Sequence, residues 1–278
     1  MVTDKEIPYV TGAEFFCDRN PISYNQSVTA LTLARTYGKA KGAVKKMLVM
    51  ADPIFESRDA RLRTISDTRV LSSRAPDDDV KCVLPFTRLD LTGKLATELN
   101  KLYEGQCTVY IGLDASKDAF EKRIAPGLEQ YNRIVFATHG YFGKDLSCRG
   151  INEPVLVLTL VPMGTDGYLR MSEVMGLKMN ADIVALLASQ TGLGKVLAGE
   201  GTMSMGRAFQ VAGARSVLMS FWQVEVDSSV RLVQTFFNGL KDGKNNLEAL
   251  QLARKKIRDD GYDHPFFWAA FVLVCEVD

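Results

Sequence analysis

Two residues about 50 positions apart could do chemistry together. His139 closes the run YNRIVFATHG, and Ser189 closes ADIVALLAS, just ahead of Thr191-Gly192 and Gly194. Each apolar run reads as a buried strand. In an open α/β sheet, sites form beyond the carboxyl ends of strands. If these two strands are neighbours, both side chains face one crevice. A histidine beside a hydroxyl or thiol is the minimal base–nucleophile pair. The small residues around both leave backbone N–H groups free to face a developing oxyanion. Blander readings stand beside this one. A strand-end histidine can serve only as a hydrogen-bonded or capping residue, and a serine before a turn can be purely structural.

Other candidate sites are weaker. GLGK at 192–195 lacks the phosphate-loop spacing, because Val196 follows Lys195. A serine-hydrolase elbow needs GxSxG, whereas Leu187-Ala188-Ser189-Gln190-Thr191 stands here. The histidines are His139 and His264, so any histidine-dependent mechanism has two candidates. The five cysteines, Cys17, Cys82, Cys107, Cys148 and Cys275, are odd in number and far apart. No CxxC or CxxH pairing occurs, which argues against a zinc site or a disulfide framework. No metal or cofactor is expected. Cys148, nine residues after His139, reads as a loop cysteine rather than a nucleophile.

The elements that must position these residues alternate. KKMLVMADP, QCTVYIG, YNRIVFATHG, ADIVALLAS and ARSVLMSFW read as five strands, and PFFWAAFVLV as a last one. SYNQSVTALTLARTYGKA reads as a helix. In RLDLTGKLATELNKLYEG, Leu91, Leu95, Leu99 and Leu102 share one helical face, and Gly105 ends the helix. DASKDAFEKRI is expected to be a helix capped by Asp114. SEVMGLKM, SMGRAFQVAG, SSVRLVQTFFNGL and NLEALQLARKKIRDD follow as helices. VLVLTLVPMGTDGYLRM reads as a hairpin turning at Thr165-Asp166-Gly167. Continuous apolar strands alternating with helices predict an α/β fold. It is a three-layer α/β/α sandwich with a mostly parallel sheet, in a single domain over 1–278. Residues 56–85, charged and containing RAPDDDV, read as a flexible insertion.

Composition narrows the function classes. Of 278 residues, 46% are hydrophobic and 24% charged, ordinary for a globular protein. The net charge of +1 gives no global case for nucleic acid or anionic membrane as a direct partner. The longest apolar stretches are too short to span a bilayer. MVTDKEIPYV lacks the basic-then-apolar pattern of a signal peptide, so a cytoplasmic location is expected.

Several motifs in one register carry a resemblance. They are IVFATHG, EPVLVLTLVPMGTDGYLRMSEV, MNADIVALLASQTGLG, GEGTMSMGRAFQVAGARSVLMSFWQV and HPFFWAAFVLVC. Together they make the chain resemble a CHAT domain, a caspase-like cysteine peptidase domain often joined to tetratricopeptide repeats. The resemblance spans nearly everything from about SYNQSVTALTLAR onward. It implies a caspase/gingipain/separase-like fold and a cysteine endopeptidase activity. The family's catalytic histidine falls on His139. Its cysteine falls on Ser189, since Ala188-x-x-Thr191-Gly192 sets the register. The spacing known for caspases, with the histidine about 50 residues before the cysteine, agrees.

The departure is therefore at the nucleophile. A cysteine thiol supplies thiolate near neutrality, and a serine hydroxyl does not. The site is expected to form yet turn over very slowly or not at all. Two histories fit: replacement of a catalytic cysteine to trap substrate or stop self-cleavage, which the intact surroundings favour, or a natural pseudo-protease that binds peptides or scaffolds. The backbone N–H groups of Gly140 and Ser189 are the expected oxyanion donors. Glu225 and Asp227, in FWQVEVDSS after the fifth strand, predict a preference for Arg or Lys at P1, the residue before the scissile bond. Either carboxylate could instead cap the following helix, Asp227 before Ser228-Ser229 above all. The expected partners are a protein or peptide substrate and a regulatory domain or partner protein.

Overall fold

A computed structural model describes residues 14–24, 32, 46–64, 86–141, 146, 150–161, 166–188, 200–222 and 224–275. Position 189 and nearly all of the segment expected to be a helix at 23–40 lie outside these residues.

The main strands are β1 (Lys46–Pro53), β2 (Cys107–Gly112), β3 (Tyr131–Ala137), β7 (Ile183–Leu187), β8 (Ser216–Ser220) and β9 (Phe271–Cys275). They form a six-stranded sheet in the order β2-β1-β3-β7-β8-β9. All neighbours are parallel except β8 and β9. A smaller antiparallel sheet joins β4 (His139–Tyr141), β5 (Val155–Val157) and β6 (Tyr168–Arg170). The expected hairpin is the β5–β6 pair, in which Leu156 faces Leu169.

Side chains on a strand alternate between faces, so a strand buried on both sides must be apolar throughout. Met47, Val49 and Ala51 of β1 enter one core, and Leu48 and Met50 enter the other. Helices α2 (Asp90–Leu102), α6 (Val226–Lys241) and α7 (Asn246–Asp259) bury Leu95, Leu99, Phe236, Phe237 and Leu250 against the first face. The short α1 (Phe16–Arg19) is tied to α7 by the ion pair of Asp18 with Arg258. On the second face lie α4 (Met171–Met175), α5 (Glu200–Val211) and the turns at Phe120–Ile124 and Ala125–Gln130, with Phe120, Phe136 and Phe209 fully buried. Burying each such ring contributes about 1.5–3 kcal/mol, so these faces dominate the stability of the sheet. The α/β class and the helix-covered, mostly parallel sheet are as the sequence predicts.

Three local expectations are corrected. Asp114 does not cap the helix after β2. Ser116 does, its hydroxyl oxygen accepting from the backbone N–H of Ala119 at 3.2 Å, while Asp114 pairs with Arg123. That helix, α3 (Lys117–Ala119), loosens at once into a π turn and then a 3-10 turn, where Pro126 removes a backbone donor. PFFWAAFVLV is not one strand. Pro265–Trp268 is a short helix, α8, because proline suits a first helical turn and cannot donate to a sheet, and the strand starts only at Phe271. Finally, the run ending in His139 is two strands: β3 stops at Ala137, and His139 opens β4 opposite Val157.

Of the expected insertion at 56–85, residues 56–64 are described and hold a 3-10 turn at Ala60–Thr64; residues 65–85 lie outside the described set. No helix among the described residues is long and apolar enough to cross a membrane.

Candidate active site

The strand order places a crevice. From β1 the chain moves outward to β2, and from β3 it moves the opposite way, through the small sheet, to β7. Connections that leave in opposite directions open a gap beyond the carboxyl ends of the strands they leave, the usual ligand position in such sheets. Asp52 of β1, the Phe86–Leu89 segment ahead of α2, and His139 all lie there.

His139 is reached through a sharp exit from β3. The Thr138 N–H donates to the Leu187 carbonyl at 3.2 Å, and the Thr138 hydroxyl donates to the Val157 carbonyl. These bonds tie the turn to the end of β7 on one side and to β5 on the other. β3 and β7 are neighbours, with Ala137 opposite Leu187. Gly140 explains how close the two chain ends come. A Cβ on Gly140 would lie 2.9 Å from the Ala188 carbonyl oxygen and 3.0 Å from the Ala188 Cβ. Only glycine lets β4 pass over the residue that leads into position 189 without displacing it.

The imidazole of His139 is 1% exposed. Phe55 and Phe86 flank it, with ring centroids 5.1 and 5.4 Å away. Its Nε2 is 2.7 Å from the Thr87 carbonyl oxygen. A carbonyl only accepts, so Nε2 carries the proton and Nδ1 holds the lone pair. Among the described residues no hydrogen bond reaches Nδ1. Burial holds the imidazole below its ordinary pKa of 6.5, opposed by the bond to Thr87, so the ring is neutral near pH 7. An imidazole oriented in this way has the geometry with which a general base can act. Thr87 escapes sequence reasoning, because its contribution is a backbone carbonyl that any residue type would supply.

Ser189 lies outside the described residues, so neither its side chain nor its N–H has a place in this geometry. Cys148 lies outside as well. Cys107 does not offer a substitute nucleophile: it sits on β2, and burial pushes its thiol up to about 11.

The two carboxylates after β8 have structural partners. Glu225 is the N-cap of α6, its carboxylate accepting from the Ser228 N–H at 3.0 Å. Asp227 accepts from Arg231 Nε at 2.7 Å and from the Tyr262 hydroxyl, and these bonds hold its carboxyl below the usual range. The capping alternative is thus met by Glu225 rather than Asp227. Between β7, β8 and the start of α6, a cavity of about 20 Å³ is lined by Leu187, Ser220, Val226, Val230 and Phe271. No cluster of three or more metal-ligating side chains occurs among the described residues.

Comparison with known proteins shows the family. The sequence profile of the CHAT domain matches residues 3–276. Tetratricopeptide repeat protein 28 from Homo sapiens is 35% identical over 104 residues, and the protein of the same name from Mus musculus is 33% identical over 104. In both cases the match covers 37% of this chain and 4% of the relative, so the chain spans only a small part of their length. Among solved structures, the separase–securin complex of Saccharomyces cerevisiae aligns with 93% of this chain and 14% of its own, at 14% identity and a TM-score of 0.49. The chain belongs to the CHAT domain family, a caspase-like peptidase family.

Proposed function

We propose that this CHAT domain is built for cysteine endopeptidase chemistry in the crevice beyond the carboxyl ends of β1, β3 and β7, with His139 as base and position 189 as nucleophile. The observation that carries the reading is the orientation of His139. Its Nε2–H is anchored on the Thr87 carbonyl, leaving the basic nitrogen at Nδ1, just past the end of a strand paired with the one that leads to 189. With a cysteine at 189, the thiolate would attack the scissile carbonyl. Backbone N–H groups of Gly140 and residue 189 would receive the oxyanion. Protonated His139 would give its proton to the departing amine, leaving an acyl-enzyme for water to hydrolyse.

Serine at 189 makes this chain silent or substrate-trapping. A base already weakened by burial matches a thiol far better than a hydroxyl, because the proton-transfer gap to serine is much larger. The same residue supports a second reading, a peptide-binding or scaffolding module that holds a strand without cutting it. A regulatory domain or partner protein would control access in either case. The preference for Arg or Lys at P1 rests only on the place of Glu225 and Asp227 after β8, because Glu225 caps α6 and Asp227 is bonded to Arg231 and Tyr262.

Ser189→Cys tests the proposal. The variant should cleave peptides from a P1-scanning library, with basic P1 fastest, and should label with a thiol-directed peptide electrophile while the parent does not. A Ser189→Cys chain that neither cuts nor labels would leave only the binding reading. Cleavage after apolar or acidic P1 would remove the role of the two carboxylates and leave the reaction type standing.

A further inference from the structure

Four charged side chains, Asp52, Asp59, Arg61 and Arg88, meet at the carboxyl end of β1, and one of them sits on unusual backbone. Asp52 has φ +43, the one positive value for a non-glycine among the described residues, and is 4% exposed. L residues avoid this conformation, which persists where surroundings over-determine it. Here they do. The Asp52 N–H donates to Thr92 Oγ1 at 2.9 Å, and the Thr92 hydroxyl donates to the Leu89 carbonyl at 2.7 Å. Gly93 makes the room, since a Cβ there would lie 3.0 Å from Asp52 Oδ2.

The carboxylate so placed clamps Arg88. Arg88 Nε donates to Oδ1 at 3.1 Å and Nη2 to Oδ2 at 2.8 Å, the two-point geometry that fixes a guanidinium in direction as well as distance. Arg61 reinforces the clamp, 2.9 Å from Oδ2 and bonded to Asp59. Arg88 follows Thr87, whose carbonyl receives the His139 Nε2–H. On the other side of Thr87, Phe86 is 2% exposed and packs on His139, Phe55 and Tyr141. The Thr87 carbonyl is therefore held from both flanks, by a ring in the core and by a charged clamp.

We infer that Asp52 is a positioning residue for His139, acting through Arg88 to keep the Thr87 carbonyl on Nε2. This rests on the reading of His139 as the base. A neutral imidazole exchanges its proton between two nitrogens, and only a fixed acceptor selects one. If the clamp is lost, the Thr87 carbonyl drifts, the Nδ1–H form competes, and the lone pair is no longer confined to Nδ1.

The decisive variant is Asp52→Gly, which removes the carboxylate and also relieves the positive φ. A purely structural role predicts a fold less stable for the lost pairing with Arg88 and Arg61, offset in part by relief of the positive φ, with an unchanged imidazole. Positioning predicts a folded protein in which His139 loses its single Nε2–H signature in ¹⁵N spectra of the ring nitrogens. The chain's two histidines make this readable, with His264→Asn assigning the other set. In the Ser189→Cys background, kcat should fall about 10- to 100-fold, as for other partners that orient a functional group from behind, with KM within about twofold. Arg88→Lys, which keeps the charge and loses the two-point geometry, should reproduce the effect and decides the matter if Asp52→Gly does not fold. Unchanged ring-nitrogen shifts in a folded variant overturn the inference, and so does an unchanged kcat. A Ser189→Cys parent that proves inactive would count against the proposed function alone, because the ring-nitrogen readout needs no turnover.

Discussion

The chain's two histidines sit in different regions of the molecule, and their contrast shows what makes one a candidate base. His139 stands at a strand exit, and His264 at a helix start. Both are buried, at 1% and 7% exposure, and both lie beside aromatic rings. They even share a tautomer. His264 Nδ1 accepts from the Phe266 N–H at 3.0 Å, so its proton, like that of His139, is on Nε2. The difference is where the lone pair goes. His264 uses it on a helix donor that needs a cap. His139 is instead held by its N–H, and among the described residues nothing bonds its Nδ1. Residue type and burial do not separate the two; the side of the ring that the backbone grips does.

That contrast can be broken most forcefully by deletion. In the Ser189→Cys background, His139→Ala should lower kcat/KM by about 10²- to 10⁴-fold, the range of a general base. His264→Asn should leave it within about twofold. Equal losses would erase the distinction between the sites. Stability should respond in the reverse sense. His264→Ala removes a cap and should cost about 1 kcal/mol in urea unfolding, while His264→Asn recovers most of it.

The smallest effect is in pH dependence. Burial lowers the His139 pKa in the folded state, so the unfolded chain takes up a proton at a higher pH than the folded one does. Stability is then full above 6.5 and falls as pH drops from there through the folded value. The urea midpoint should decrease as pH is lowered from about 7.5 to about 5.5, and His139→Gln should flatten that part of the slope. A steeper slope in the variant would mean that His139 gains, rather than loses, from protonation in the fold.

Much of this is legible in the residues. Continuous apolar runs such as KKMLVMADP and ADIVALLAS announce strands buried on both faces, and the observed sheet contains them in parallel. The Leu91–Leu102 stripe announces α2, whose Leu95 and Leu99 are fully buried. His139 is legible because strand-end position and side-chain chemistry coincide there. Asp114 misleads because Ser116, two residues on, offers the cap in better register with the turn. The aromatic run at 265–274 misleads because apolar content does not distinguish a short helix from a strand, and the proline decides it locally.

The order of apolar runs, the strand-end histidine and the motif register on position 189 belong to the sequence by itself, because periodicity and side-chain chemistry are local properties. The gripping of His139 by the Thr87 carbonyl belongs to tertiary structure, as do the Asp52–Arg88 clamp behind it and the use of Gly140 to admit Ala188. Each of these is a contact between segments at least 36 residues apart in the chain. Each depends on a backbone atom, a backbone angle or the absence of a Cβ. Those quantities leave no pattern in residue types, so folding had to bring them together before the site could be read.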